Sequence, residues 1–255
     1  MPSSIRGFSQ SVEILHFIDE GVSFLYQEGH LAISSSLVKE LLTRYRSNID
    51  AMQGDQEYMD RQYKLLAMIC PDCSYAWTNR VQYVKAMDAA SLGEELRWLN
   101  VLQMLHLKSG DAWSHRRLVL TCMSFATDSK LITSELDFIA AQAERHPHHY
   151  YAMNHFNWLS SEIADSVAIP FLQRMLTLTP LHYGVYHHLL RRLEGRSLTD
   201  VLEIGNPAEC YRTSESFCQF VYVAALQRNE KFPALTVLQG DEKWPVYFRT
   251  LVSEL

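Results

Sequence analysis

A short phrase recurs along this 255-residue chain and decays as it goes. It reads PDCSYAWTNR at 71–80, LKSGDAWSHRR at 107–117, PHHYYAMNHF at 147–156 and PLHYGVYHHL at 180–189. Registered on one large residue, the copies align at Trp77, Trp113, Met153 and Tyr186, with steps of 36, 40 and 33 residues. Six positions earlier stand Pro71, Leu107, Pro147 and Pro180, and one earlier stand Ala76, Ala112, Ala152 and Val185. Two later come Asn79, His115, His155 and His188; three later come Arg80, Arg116, Phe156 and Leu189. A fixed phrase at such a period is the mark of a helical-repeat array. Units of this kind cannot bury their apolar faces alone, so they stack on one another.

Composition agrees. Ten Gly and eight Pro are few for an all-β chain rich in tight turns. A net charge of -6 without a basic stripe argues against nucleic acid as partner. No apolar run reaches the roughly 18 residues of a membrane span. The start, MPSSIRGFSQSVEILHF, makes a poor signal peptide, and the terminal SEL is no prenylation box, so a cytoplasmic protein is expected.

Five cysteines are an odd and sparse set. Cys70 and Cys73 form a CPDC pair, yet no second ligand pair for zinc stands nearby and no βαβ flank supports a thioredoxin-type site. They read as two reduced cysteines at a helix–helix turn. Cys122, Cys210 and Cys218 read as buried small hydrophobes.

Residues 1–35 are ambiguous, since ILHFIDEGVSFLY suits helix or strand. From 36 to 255 the pattern predicts helical hairpins. The first helix, in SSSLVKELLTRYRSNIDAM, carries Leu37, Leu41, Leu42 and Tyr45 on one face; DQEYMDRQYKLLAMI follows. Phrase helices are expected over 74–87, 111–126, 149–162 and 182–194. Thr133 or Ser134 is the expected cap of the helix after the second phrase. A break at GNP 205–207 precedes a degenerate fifth unit, with Phe217 near the register place, and the chain closes on KWPVYFRTLVSEL. Proline before each phrase marks where the previous helix must stop. Trp77 and Trp113 should bridge helices, and Arg80 and Arg116 should meet carbonyls or a carboxylate.

PDCSYAWTNR and KSGDAWSHRR resemble the repeat of protein prenyltransferase alpha subunits, and AERHPHHYYAMNHFNWL fits the same frame with its Trp and Arg exchanged. The resemblance spans roughly residues 36–230. It implies an all-α fold: a right-handed superhelix, or crescent, of antiparallel helical hairpins. It also implies a beta-subunit partner that holds the zinc, an isoprenyl diphosphate, and a protein substrate to be prenylated. Lys108, five before Trp113, matches the family's diphosphate-contacting lysine, while Gly110 stands where a tyrosine is usual. Tyr150 matches a family tyrosine, and Tyr151 replaces a histidine.

The residues alone leave blander readings open. Lys108 suits a helix end. His115, His155 and His188 lie in different hairpins, too far apart for one ion, and read as hydrogen-bonding groups. The run HPHHYY reads as a polar rim, and Arg116–Arg117 and Arg191–Arg192 as a solvated face or a complement to an acidic partner. No G-x-S-x-G, P-loop or paired carboxylate supplies a self-sufficient active site. Two functions follow: an alpha-like subunit supporting geranylgeranyl or farnesyl transfer to a protein cysteine, or a non-catalytic scaffold binding a protein or peptide.

Overall fold

The computed structural model describes residues 14–17, 24–27, 30–48, 56–205 and 214–228. Cys210, the side chain of Cys218 and the closing KWPVYFRTLVSEL lie outside them. Among the described residues, the expected all-α class holds from Ser35 onward, but not before it. Three short strands precede the helices: β1 (Ile14–Phe17), β2 (Phe24–Gln27) and β3 (His30–Ser34). They form a sheet in the order β1-β3-β2, with β1 parallel and β2 antiparallel to β3. Short apolar segments with β-branched and aromatic residues suit pleated backbone, and periodicity cannot separate them from buried helix.

The chain divides into two compact units at Thr127/Asp128. Among the described residues, the first holds the sheet and five helices: α1 (Ser35–Asn48), α2 (Gln56–Ile69), α3 (Ser74–Ala86), α4 (Ala89–Leu105) and α5 (Gly110–Cys122). A 3-10 turn at Phe125–Thr127 ends it. Here α3 packs on α2 and α5, and α4 packs on α5. Cys122, expected inside, is exposed at the last residue of α5.

The second unit holds α6 (Ser129–Arg145), α7 (Tyr150–Ser160), α8 (Asp165–Leu178), α9 (Tyr183–Arg192), α10 (Leu198–Ile204) and α11 (Glu215–Arg228). Helix α6 packs on α7 and α8, α9 on α8 and α11, and α10 on α11. α6 starts before Thr133: Asp128 is its cap and accepts from the amides of Lys130 and Leu131 at 2.9 and 3.1 Å. A carboxylate there satisfies two amides that no earlier turn can serve. Among the described residues, no helix is long and apolar enough to cross a membrane.

The repeat register is legible as burial. The register residues Trp77, Trp113, Met153 and Tyr186 are all buried. The small residue before each, Ala76, Ala112, Ala152 or Val185, is fully enclosed. That enclosure explains the preference for Ala: a larger side chain has no room at a close helix approach.

Candidate functional site

The same turn leads into each phrase helix. The amide four residues before the register residue donates to the carbonyl seven before it. The four bonds are Cys73 to Cys70 (3.0 Å), Ser109 to His106 (3.2 Å), His149 to His146 (2.9 Å) and His182 to Thr179 (3.0 Å). Each is a β-turn with Pro or Leu second. The register side chain then reaches back to that second residue. Trp77 Nε1 donates to the Pro71 carbonyl at 2.7 Å, Trp113 Nε1 to Leu107 at 3.2 Å, and the Tyr186 hydroxyl to Pro180 at 2.9 Å. The large residue of the phrase is therefore a clamp on the turn six residues upstream, as well as core. Met153 has no donor and only fills its site.

The residue four before the register is the N-cap of the phrase helix. Ser109 accepts from Ala112, His149 Nδ1 from Ala152 and His182 Nδ1 from Gly184; Cys73 makes no side-chain cap. An imidazole nitrogen that accepts must be unprotonated. Burial, with His146 and His182 nearby, brings the His149 pKa down to about 4; burial and His148 lower that of His182. So His149 is a buried cap, not part of a solvent-facing rim, while His148 is exposed.

Inside the first unit, the position three after the register organises a charged cluster. Arg80 is fully buried; its Nε donates to Glu95 at 3.0 Å and its NH1 to Asp60 at 2.8 Å. Glu95 also accepts from His115 at 2.9 Å and pairs with Lys64 at 3.1 Å. The Arg80 guanidinium lies over the Trp98 ring, 4.9 Å from its centroid. Burial alone would raise the Glu95 carboxyl; the His115 hydrogen bond and the Arg80 and Lys64 charges outweigh it and hold it at about 2. Glu95 thus stays ionised and ties three helices. Arg116 is buried too, donating to Asn100 and Gln103 at 2.7 and 3.0 Å, so it cannot face an acidic partner. Arg192 is likewise held by Asp165 and the Ile163 carbonyl, and Arg191 by Asn157.

The second unit repeats part of this. His155 Nε2 pairs with Glu135 at 3.1 Å, as His115 does with Glu95, and in both cases the glutamate lies 20 residues earlier. That spacing was readable in the sequence and marks a partner that motif reading passed over. His188 instead sits edge-on to Phe156 at 5.2 Å, and burial, with His187 and Arg191 adding, brings its pKa down to about 4. Among the described residues, no group of three or more His, Cys, Asp or Glu is placed to hold a metal ion.

Of the residues singled out for diphosphate contact, Lys108 lies on this recurring turn and the two tyrosines open the helix that follows it. Lys108 is exposed in the turn before α5, next to the cap Ser109, rather than at the end of α4 itself. Tyr150 and Tyr151 open α7, their rings edge to face at 5.5 Å, with Tyr150 69% exposed. Lys108 belongs to the first compact unit and the two tyrosines to the second. Each stands at the mouth of its own hairpin, beside the capped start of a helix.

Residues 132–163 match the family model described as protein prenyltransferase alpha subunit repeat. The matched segment runs from α6 through the His146–His149 turn and α7 to just short of α8. It is the copy in which Trp and Arg have become Met153 and Phe156. The match supports the protein prenyltransferase alpha subunit family. No curated protein matches the chain.

Proposed function

We propose that this chain is the alpha-like subunit of a heterodimeric protein prenyltransferase, similar to the alpha-like subunit of a third geranylgeranyltransferase. The observation that carries the reading is the family match at 132–163, over a turn and helix start that the chain repeats at three other places. In this reading the hairpins stack antiparallel into a right-handed crescent that wraps a cytoplasmic beta subunit. Zinc would belong to that partner, where it presents the substrate cysteine as thiolate. The contribution of this chain is positional and electrostatic. Lys108 would place an ammonium against the isoprenyl diphosphate and offset charge as the carbon–oxygen bond breaks. Tyr150 and Tyr151 would offer hydroxyls at the mouth of their own hairpin.

A second reading, a repeat scaffold that binds a protein or peptide without chemistry, is favoured by Gly110 and Tyr151, where family side chains are exchanged. Expression with and without a prenyltransferase beta subunit separates the two. The subunit reading expects a 1:1 complex in size-exclusion chromatography, burying about 2,000 Å² or more as obligate pairs do. A stable monomer that ignores the beta subunit would overturn it in favour of the scaffold.

A further inference from the structure

Of the four repeated turns, one carries thiols at both of its hydrogen-bonded ends. Positions seven and four before the register residue are His106 and Ser109, His146 and His149, and Thr179 and His182; in the first copy they are Cys70 and Cys73. Ser109, His149 and His182 each spend the side chain on capping a helix, whereas Cys73, at the same place before α3, makes no cap. Both cysteines are reduced and partly exposed.

We propose that Cys70 and Cys73 are a redox modification site, closing an intramolecular disulfide by exchange with a glutathione-type small disulfide. The geometry is prepared. The Cys73 amide donates to the Cys70 carbonyl at 3.0 Å, and the ends of such a turn lie within about 7 Å of each other, the span a disulfide bridges. The turn is held from outside by two donors on one carbonyl: Trp77 Nε1 at 2.7 Å and Ser109 Oγ at 3.2 Å, both on Pro71. Closing the bridge therefore needs side-chain rotation and little movement of the backbone.

The chemistry proceeds in two exchanges. Cys73 stands at the start of α3 with its side chain spent on no cap, while burial, with Cys73 and Asp72 adding, raises the Cys70 thiol; Cys73 is the attacking group. Its thiolate displaces one small thiolate and forms a mixed disulfide on Cys73. Cys70 then loses its proton and attacks the Cys73 sulfur, expelling the second small thiolate. The two protein thiols give up two electrons, the small disulfide takes them, and the two protons end on the released thiols. A loop this short removes only a modest amount of freedom from the unfolded chain, so the bridge adds stability equivalent to about a tenfold shift in exchange, less than a long-loop disulfide would add. Such a bridge is suited to reversible exchange rather than to a permanent staple.

The test incubates the full native chain in glutathione buffers of rising disulfide content, then blocks remaining thiols and maps peptides by mass. Cys70 and Cys73 should lose their alkylation together, with a loss of two hydrogens and no added glutathione. The midpoint should need about tenfold less glutathione disulfide than in urea, because the folded turn holds the thiols together. Cys73→Ser copies the cap of Ser109 and so keeps the fold; it should abolish the bridge. Cys70→Ser should leave glutathione trapped on Cys73. Full alkylation of both cysteines at every ratio, or equal midpoints with and without urea, would overturn the proposal.

Discussion

Phe156 stacks on Phe171, ring centroids 5.0 Å apart, at the two places where the first repeat has Arg80 and Glu95. Both pairs join the phrase helix to the helix after it, and both are separated by fifteen residues. The phrase has therefore not simply decayed at its third copy. An enclosed ion pair in the first repeat has as its counterpart in the third an enclosed aromatic pair. The energetics permit it: a buried ion pair and a well-packed apolar pair of similar volume are close in stability, whereas half of either is costly.

That correspondence sets the first prediction. Glu95→Ala leaves Arg80 buried with one fewer counter-charge and should cost about 3–5 kcal/mol. The paired change Arg80→Met with Glu95→Leu should cost distinctly less than the sum of the two single changes. Urea unfolding of the three variants measures the coupling. Additive costs would show that the fifteen-residue pair is not a unit.

The clamp on the turn gives the second. Trp113 is 1% exposed and its indole donates to Leu107. Truncation to Ala should cost about 3–5 kcal/mol. Phe keeps most of the burial but leaves the carbonyl unserved, a further cost of about 1–3 kcal/mol. Tyr, which performs this task at Tyr186, should be tolerated better than Phe. Thermal midpoints in the order Phe above Tyr would count against a clamping role.

Acid provides the third. His149 and His188 have pKa values brought down to about 4 from an ordinary 6.5. A lowered pKa means that the unfolded chain takes up protons first. Stability is full above pH 6.5 and falls progressively as pH drops to 4, by about 1–2 kcal/mol for each residue with solvent screening allowed for. Glu95, at about 2 against 4.5, loses its contribution only below that, between 4.5 and 2. Urea midpoints should thus decline from pH 6.5, earlier than carboxylates alone allow. His149→Asn keeps a capping oxygen without the titration and should flatten that slope. An unchanged slope would remove His149 from the account.

A close approach gives the fourth. Gly205 caps α10, and a Cβ there would lie 2.3 Å from the ring of the fully buried Phe220. Gly205→Ala should cost about 1–3 kcal/mol through displaced packing. A variant as stable as the parent would mean that Phe220 moves aside freely.

Much of this was legible in the sequence, and the gaps have physical causes. The register residues and their helices follow from a period that burial enforces. Glu95, Glu135 and Phe171 were missed because their partners are fifteen or twenty residues away, on other helices, where only the recurrence of one spacing, and no local motif, points to them. His149 and His182 were missed as caps because imidazole resembles a capping side chain only when its protonation state is fixed by burial. Asp128 outcompetes Thr133 and Ser134 because it sits at the true helix start. The N-terminal strands were ambiguous because segments of four or five residues are too short to display a period. The match at 132–163 covers one copy, so what this chain does at Lys108, in another copy, is a matter for measurement.

Lys108 provides the last prediction. It is exposed at the mouth of the hairpin before α5, and its ammonium has no carboxylate partner among the described residues. An ammonium there would bind departing diphosphate more strongly than intact isoprenyl diphosphate, since negative charge grows on the leaving group. Its removal should therefore lower turnover rather than merely weaken uptake of the isoprenoid. Loss of one such contact costs about two to three orders of magnitude in rate, and the exchange at Gly110 places this chain at the lower end. The measurement is single-turnover transfer by the reconstituted heterodimer, with isoprenoid saturating, for the parent and for Lys108→Ala. Lys108→Arg, which keeps the charge, should recover part of the rate, and unfolding midpoints of all three should coincide because the side chain is exposed. Equal rates for parent and Lys108→Ala would leave Lys108 as a solvated turn residue and move the weight to the scaffold reading.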